Sequence, residues 1–306
     1  MYDLIIIGGG PAGLTAAVYA IRKRLNVLLV SNDLGGKTNY NMTLPWMETH
    51  QVIRGTEIVG KFRRELEYLD FVHQLEAVEA VSKKEDSFIA KMANGDDLTA
   101  RSIILATGSN VKYLNVPGEQ KYLGRGVSFS AISYAPLFIG KRTVVIGEGM
   151  LAVRAVAELA QVAESVHLVT PAGGKVDSSL VENLSGASMK VVVMAGYQVK
   201  SIEGNGFAER VVLQSPEGKE TEIGTDGIFV ELGLVPNTGL VNGLVDVDDQ
   251  GRVIVDNGNR TSCPGLFAAG DVTNAYAEQV LIAAGEGAKA ALNAYEYLTF
   301  RQVMET

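Results

Sequence analysis

A single cysteine, Cys263, occurs in the 306-residue chain, so no intrachain disulfide can form and no zinc cluster built on thiolates is available. Histidine is almost as scarce. His50, His73 and His167 lie far apart and share no ligand-like spacing, which leaves a metal site without support. Positive charge is outweighed as well: 27 Lys and Arg face 35 Asp and Glu, for a formal net charge of −8. That is the wrong sign for a protein that gains nucleic-acid affinity by releasing counterions from phosphates. Apolar runs are broken by glycine or charge before the roughly 18 residues a membrane helix needs, so no membrane association is expected. The opening MYDLIIIGGG has neither a basic region nor a small-residue cleavage site. The expected compartment is therefore the cytoplasm.

Glycine, by contrast, is plentiful. The 34 glycines are scattered through separate motifs, the composition of a globular protein with many tight turns. The first thirty residues predict a βαβ unit: a strand at Asp3 to Ile7, a glycine turn, a helix from Pro11 to about Arg24, and a strand at Asn26 to Val30. These apolar runs are short and rich in Ile and Val, as in parallel strands covered on both faces. A second copy begins at RTVVIGEGMLAVRAVAELAQVAESVHLV. The fold class expected is α/β, with two Rossmann-like doubly wound halves. The pattern divides the chain into a first domain made of both termini, residues 1–115 and 239–306, and an inserted domain, residues 116–238.

The first glycine motif is Gly8, Gly10 and Gly13 in IIIGGGPAGLTAA. Its chemistry is backbone geometry: glycine turns the chain tightly, admits a pyrophosphate to the main chain and allows a helix to pack closely, while helix N-terminal amides hold the negative charge. Pro11 suits the first helical turn because no donor is needed there. The acid expected about 20 residues on is met by Asp33, which either reaches an adenosine ribose or serves as an ordinary turn aspartate. A strand ending in Gly270 and Asp271 sets a carboxylate where it needs a hydrogen-bonding partner, either a sugar-like hydroxyl or the next helix as its N-cap.

Four stretches together, IIIGGGPAGLTAAVYAIR, IILATGSN, VVIGEGMLAV and GLFAAGDVTNAYAEQVLIAAGEGAKAA, resemble the low-molecular-weight thioredoxin reductases of the FAD-dependent pyridine-nucleotide-disulfide oxidoreductase superfamily. The resemblance runs in order over almost the whole chain. It implies FAD held by Gly8, Gly10, Pro11, Ala12, Gly13, Asp33, Gly36, Lys37, Ala106, Thr107, Gly108, Gly270, Asp271, Gln279 and Val280. It also implies a homodimer whose inserted domain binds NADPH at Gly147, Gly149 and Ala152 and carries a dithiol.

The chain departs from that family in three places. Where the family has Cys-Ala-x-Cys-Asp-Gly, it reads Ser130-Ala131-Ile132-Ser133-Tyr134-Ala135. A serine hydroxyl neither ionises near neutral pH nor forms a mixed disulfide, so direct thioredoxin reduction by the family route is excluded. No residue is assigned as a catalytic acid, base or nucleophile; Ser130, Ser133 and Tyr134 mark the dithiol segment. Replacement of the flanking Asp-Gly as well points to natural divergence rather than an engineered pair of serines.

The NADPH site is also altered. The family's 2′-phosphate arginines are replaced by Thr170-Pro171-Ala172, with Lys175 the nearby cation, leaving little to neutralise a 2′-phosphate. No acid stands at Thr170 to bind a free 2′-hydroxyl, and Glu148 inside the second turn repels phosphates unless it points outward. NAD(P)H use is thereby weakened, and a second FAD becomes an alternative occupant.

Around the flavin, the family's Gly-Gly-Gln reads Gly35-Gly36-Lys37. Lys37 either favours an anionic reduced flavin or is a solvated surface lysine, and Trp46 is expected in the core. Two basic clusters, Arg22-Lys23-Arg24 and Lys61 with Arg63 and Arg64, offer a dock for ferredoxin or flavodoxin, or are solvated helix faces.

The leading expectation is an FAD-dependent oxidoreductase passing electrons from ferredoxin or another non-standard donor to an acceptor reached from the flavin. Alternatives are a nicotinamide-dependent flavin reductase of the ferredoxin-NADP reductase type and a non-catalytic flavin-binding redox sensor.

Overall fold

The structure, a computed structural model, describes residues 1–40, 42–47, 55–67, 69, 72–174, 176 and 190–304. The chain forms two compact units. Met1–Asn39, Ile53–Asn110 and Val235–Thr306 make the first, and Tyr40–Val52 with Val111–Leu234 make the second. The stretch after Asn39 thus departs from the 1–115 boundary, because its apolar Met42 and Leu44 find their core in the second unit.

In the first unit β1 (Tyr2–Ile7), β2 (Val27–Ser31), β3 (His73–Leu75), β4 (Val78–Lys84), β5 (Ser87–Met92), β6 (Asp97–Leu105) and β17 (Leu266–Ala268) form a seven-stranded sheet. Its order is β3-β2-β1-β6-β5-β4, and β17 also pairs with β6. The strands β3, β2, β1, β6 and β17 run parallel, while β4 and β5 are antiparallel additions. Besides β1, β6 pairs with two strands in succession: Asp97 to Ala100 with β5, and Ile103 to Leu105 with β17.

Side chains alternate across a strand, and β1 shows the consequence. Leu4 and Ile6 enter the core beneath the helices α1 (Pro11–Arg22) and α6 (Val280–Met304), with Leu14, Ala17, Ala290 and Ala294. Ile5 and Ile7 enter the opposite core with Ile103, Leu105, Val241 and Val253. The uninterrupted apolar run of β1 is therefore required by burial on both faces. The amphipathic α2 (Gly55–Glu67) adds Leu66 to the first of these cores.

Two of the points at which the chain passes from one unit to the other fall in β7 (Ser109–Val111) and β16 (Leu234–Pro236). In the second unit β8 (Val127–Ser128), β9 (Arg142–Gly147), β10 (Ser165–Thr170), β11 (Val191–Ala195) and β15 (Gly227–Glu231) form a parallel sheet ordered β11-β10-β9-β15-β8. An antiparallel meander of β12 (Gln198–Glu203), β13 (Arg210–Gln214) and β14 (Glu220–Gly224) accompanies it. Among the described residues its α-helices are α3 (Glu119–Tyr122), α4 (Ala131–Tyr134) and α5 (Gly149–Val162).

Phe138 is fully buried and packs edge-on against Phe229, 5.1 Å between centroids, and against Trp46 at 5.9 Å. The Trp46 indole N–H donates to the Leu137 carbonyl at 2.8 Å, and the Lys141 ammonium sits 4.3 Å from its ring centroid. Trp46 is thus a packing residue with its polar edge satisfied. Gly227 passes beneath Phe138, where any side chain would overlap the ring.

Because Trp46 is the only tryptophan, its emission reports on this core. Phe138→Ala is expected to destabilise the second unit by about 3–5 kcal/mol, moving the denaturant midpoint of the Trp46 emission transition downward. A midpoint unmoved by the substitution would show that Phe138 does not organise this core.

Candidate functional site

The candidate site of the first unit begins where the parallel strands end. A side chain on Gly8, at φ +114°, would overlap the Ala106 carbonyl, and one on Gly13 would overlap the Gly8 carbonyl. These two glycines bring the turn down onto β6 and α1 down onto the turn. Gly10 behaves differently: no atom lies within 4 Å of where its Cβ would stand. That is the clearance a phosphate needs to approach main chain. The first intrahelical bond of α1 runs from the Leu14 N–H to the Gly10 carbonyl at 2.9 Å, and no side chain caps the helix. The Ala12 and Gly13 amides are therefore donors without intrahelical partners, with Pro11 needing none.

Beside this turn, Gly36 adopts φ +55° and approaches the Gly10 Cα so closely that a Cβ would stand 3.2 Å away. Asp33 holds the approach: its Oδ1 accepts the Gly36 N–H at 2.7 Å and the Asn39 side-chain amide at 3.3 Å. Of the two roles open to Asp33 in the sequence, the turn role is the one its contacts display. Ser31, which the sequence pattern does not single out, accepts the Gly9 N–H at 2.8 Å and ties the glycine turn to the end of β2.

The third side follows β17. Gly270, at φ +81°, lies where a Cβ would be 3.1 Å from the Ala12 Cβ and 3.5 Å from the Ala283 Cβ, so the first turns of α1 and α6 adjoin there. A side chain on Gly287 would overlap the Ala12 carbonyl, and its absence lets the two helices touch backbone to backbone. Glu286 accepts the Gly270 N–H at 2.7 Å. Both residues lie in the GEG of α6, a signal legible only once the helix crossing is known.

The Ala283 N–H bonds to the Gln279 carbonyl at 2.9 Å, so the Val280, Leu281 and Ile282 amides open α6 without intrahelical partners. Asp271 does not cap this helix, which starts at Val280. Its carboxylate instead meets the Lys37 ammonium at 2.5 Å, and Lys37 also donates to the Ser109 hydroxyl at 3.0 Å. Lys37 is thus not a free surface lysine. Thr107 and Gly108 are locked in place by Asn237, whose side-chain amide donates to the Thr107 carbonyl at 2.9 Å and whose N–H bonds to the Gly108 carbonyl at 3.0 Å.

These residues fit FAD. Two adjoining helix N-termini offer amides to acceptor oxygens, Gly10 leaves the approach open, and Asp271 with Ser109 supplies groups that can hydrogen-bond to sugar-like hydroxyls.

The second unit repeats the turn. A side chain on Gly147 would overlap the Glu231 carbonyl, Gly149 at φ +64° is open on its far side, and Ala152 is buried where α5 meets the sheet. Glu148 occupies the N-cap of α5 without making a side-chain cap. Residues 170–174 contain no cation, and Lys175 lies outside the described residues.

On α4, Ser130 is the N-cap. Its hydroxyl donates to the Ser133 hydroxyl at 2.9 Å and accepts the Ser133 N–H at 3.4 Å. The buried Glu231 carboxylate accepts the Ala131 N–H at 2.9 Å. The Tyr134 hydroxyl lies 3.5 Å from the Tyr40 carbonyl oxygen. A hydrogen-bonded hydroxyl pair, Ser130 with Ser133, therefore opens α4, and it carries no redox chemistry of its own.

The basic clusters of the first unit are partly engaged within it. Arg63 pairs with Glu67 at 2.8 Å and donates to Asn39 at 3.1 Å, and Lys23 lies over the Tyr295 ring. His167 on β10 is held below the ordinary imidazole range by burial, so it is neutral at neutral pH. Among the described residues no group of three or more His, Cys, Asp or Glu side chains is placed to hold a metal ion. No helix among them is long and apolar enough to cross a membrane.

Residues 2–287 match the family described as pyridine nucleotide-disulphide oxidoreductase. A component of the alkyl hydroperoxide reductase of Staphylococcus aureus is 33% identical over 301 residues, covering 97% of this chain and 59% of the relative. NADH dehydrogenase of Bacillus subtilis is 34% identical over 300 residues, with 97% and 58% covered. The chain thus spans about three-fifths of the length of these curated relatives. The crystal structure of thioredoxin reductase from Streptococcus pyogenes matches with a TM-score of 0.88 at 33% identity, covering 98% of each chain. With the family model matching residues 2–287 and the thioredoxin reductase structure matching over nearly its whole length, the chain belongs to the pyridine nucleotide-disulphide oxidoreductase family.

Proposed function

We propose that this protein is an FAD-dependent oxidoreductase that accepts a hydride from a nicotinamide nucleotide held by its second unit and delivers electrons to an acceptor without a dithiol relay. The observation that carries the reading is the composition of the second unit. It keeps an open, uncapped glycine turn at the N-terminus of a 14-residue helix, while its dithiol segment holds two hydrogen-bonded serines. A chain that had abandoned nucleotide binding altogether would have no need for both Gly147 and Gly149 in that geometry. The Bacillus subtilis relative, a NADH dehydrogenase, agrees with this assignment.

Bound FAD supplies two-electron acceptance from a hydride donor and release of those electrons to an acceptor. The chain's own residues supply the rest. The α1 amides and Gly10 would hold the pyrophosphate of bound FAD, Asp271 and Ser109 would hydrogen-bond to its hydroxyls, and the amides of Val280 to Ile282 would offer donors to its acceptor oxygens. The Lys37 ammonium, although paired with Asp271, would favour the cofactor form that carries more negative charge.

Three outcomes are expected. Anaerobic mixing of the purified holoprotein, carrying one FAD per chain, with NADH or NADPH bleaches the visible flavin band, and the reduced protein turns over with ferricyanide but not with thioredoxin. Bleaching by reduced ferredoxin alone, or two flavins per chain, would overturn the nicotinamide reading. Lys37→Met is expected to lower the two-electron flavin potential by about 30 mV, the equivalent of about 1.4 kcal/mol, as measured by dye equilibration; an unmoved potential would place Lys37 too far from the ring to tune it. In the paired variant Ser130→Cys with Ser133→Cys, three thiols titrate in denaturant before oxidation and one afterwards, because the two hydroxyls already touch. Three thiols surviving oxidation would show that the segment cannot close a disulfide.

A further inference from the structure

In the first unit, the residue after the first glycine of the turn is Gly9. A Cβ there would overlap the Asp33 carbonyl and stand 2.9 Å from the Ser31 hydroxyl, so this position faces the end of β2 and the loop that follows. The second unit repeats the register: Ile7 pairs with Val30 in the first sheet, and Ile146 pairs with Val169 in the second. Glu148 therefore corresponds to Gly9, and Thr170 to Ser31.

Glu148 points as this correspondence requires. Its Oε2 lies 3.4 Å from where a Cβ on Gly174 would stand, in the turn that follows β10 and is closed by the Gly174 N–H to the Pro171 carbonyl at 2.9 Å. The side chain is exposed and makes no cap to α5. Its carboxylate thus reaches away from the α5 amides, where phosphates bind, and toward the loop where the adenosine ribose of a dinucleotide lies in a βαβ unit. The acid ordinarily supplied by the end of the second strand is absent from Thr170 to Ala172.

The geometry points to Glu148 as the specificity-determining residue of the second nucleotide site, accepting the adenosine ribose hydroxyls and repelling a 2′-phosphate, so that the site takes NADH rather than NADPH. The carboxylate that ordinarily comes from the strand end is delivered here from the glycine turn. A carboxylate accepts hydrogen bonds from a diol and cannot share its space with a second anion. The assignment rests on the reading that the second unit binds a nicotinamide nucleotide.

Calorimetric titration of the flavin-loaded protein with ADP-ribose and with its 2′-phosphorylated form tests the assignment without relying on electron transfer. The wild type is expected to bind ADP-ribose at least about 10-fold more tightly than the 2′-phosphate. Glu148→Gln should lose about 10-fold in ADP-ribose affinity, with no loss for the 2′-phosphate, and Glu148→Arg should reverse the preference. Unchanged Trp46 emission in each variant shows that the second unit is folded. If Glu148→Gln keeps the wild-type preference, the role of Glu148 is overturned while nucleotide binding stands. If neither compound binds the wild type, the reading of the second unit fails and this assignment falls with it.

Discussion

Contact of backbone on backbone at the strand ends is the constraint on which the remainder of the first unit depends. Gly8 rests on the Ala106 carbonyl, Gly13 on the Gly8 carbonyl, and Gly287 on the Ala12 carbonyl. Each contact is closer than any side chain permits. Together they draw the first turns of α1 and α6 to the same point beside Gly270, so unpartnered amides from two helices gather at one edge of one sheet. A pair of helix N-termini is a strong anion site only if the helices are held against each other and against the sheet, and the alanine-rich core between α1 and α6 provides that hold.

The polar groups around this edge are mostly bound to one another. Asp33 secures the Gly36 turn, Ser31 secures Gly9, Glu286 secures Gly270, and Lys37 is shared between Asp271 and Ser109. Such groups set the positions of others and are themselves preorganised, which is what electrostatic control of a cofactor requires. The Lys37–Asp271 pair matters most for chemistry. Its charge-assisted contact is shielded on one side only, the Asp271 side chain being 15% exposed and the Lys37 side chain 41%.

The second unit retains the geometry of the first but exchanges its chemistry. The same strand, turn and helix recur, with Gly147 against the Glu231 carbonyl as Gly8 is against that of Ala106. On α4 the Ser130 and Ser133 hydroxyls are joined by a hydrogen bond with Ser130 as the N-cap, and neither hydroxyl can exchange with a disulfide.

The sequence by itself determined the α/β class, both βαβ units and the glycine turns, because period, glycine spacing and burial on both faces are local properties of the chain. The single cysteine, Cys263, is likewise read directly from the sequence, which leaves no pair of thiols among these 306 residues. Only the tertiary structure decided the role of Asp33 in its own turn, the partnership of Lys37 with Asp271, the membership of Met42, Leu44 and Trp46 in the second core, and the direction of Glu148. Lys37 and Asp271 are separated by more than two hundred residues, and Glu148 reaches a loop beyond the following strand. Such pairings arise from strand order and helix crossing, and a linear pattern of residue types carries no record of which distant neighbours those bring together.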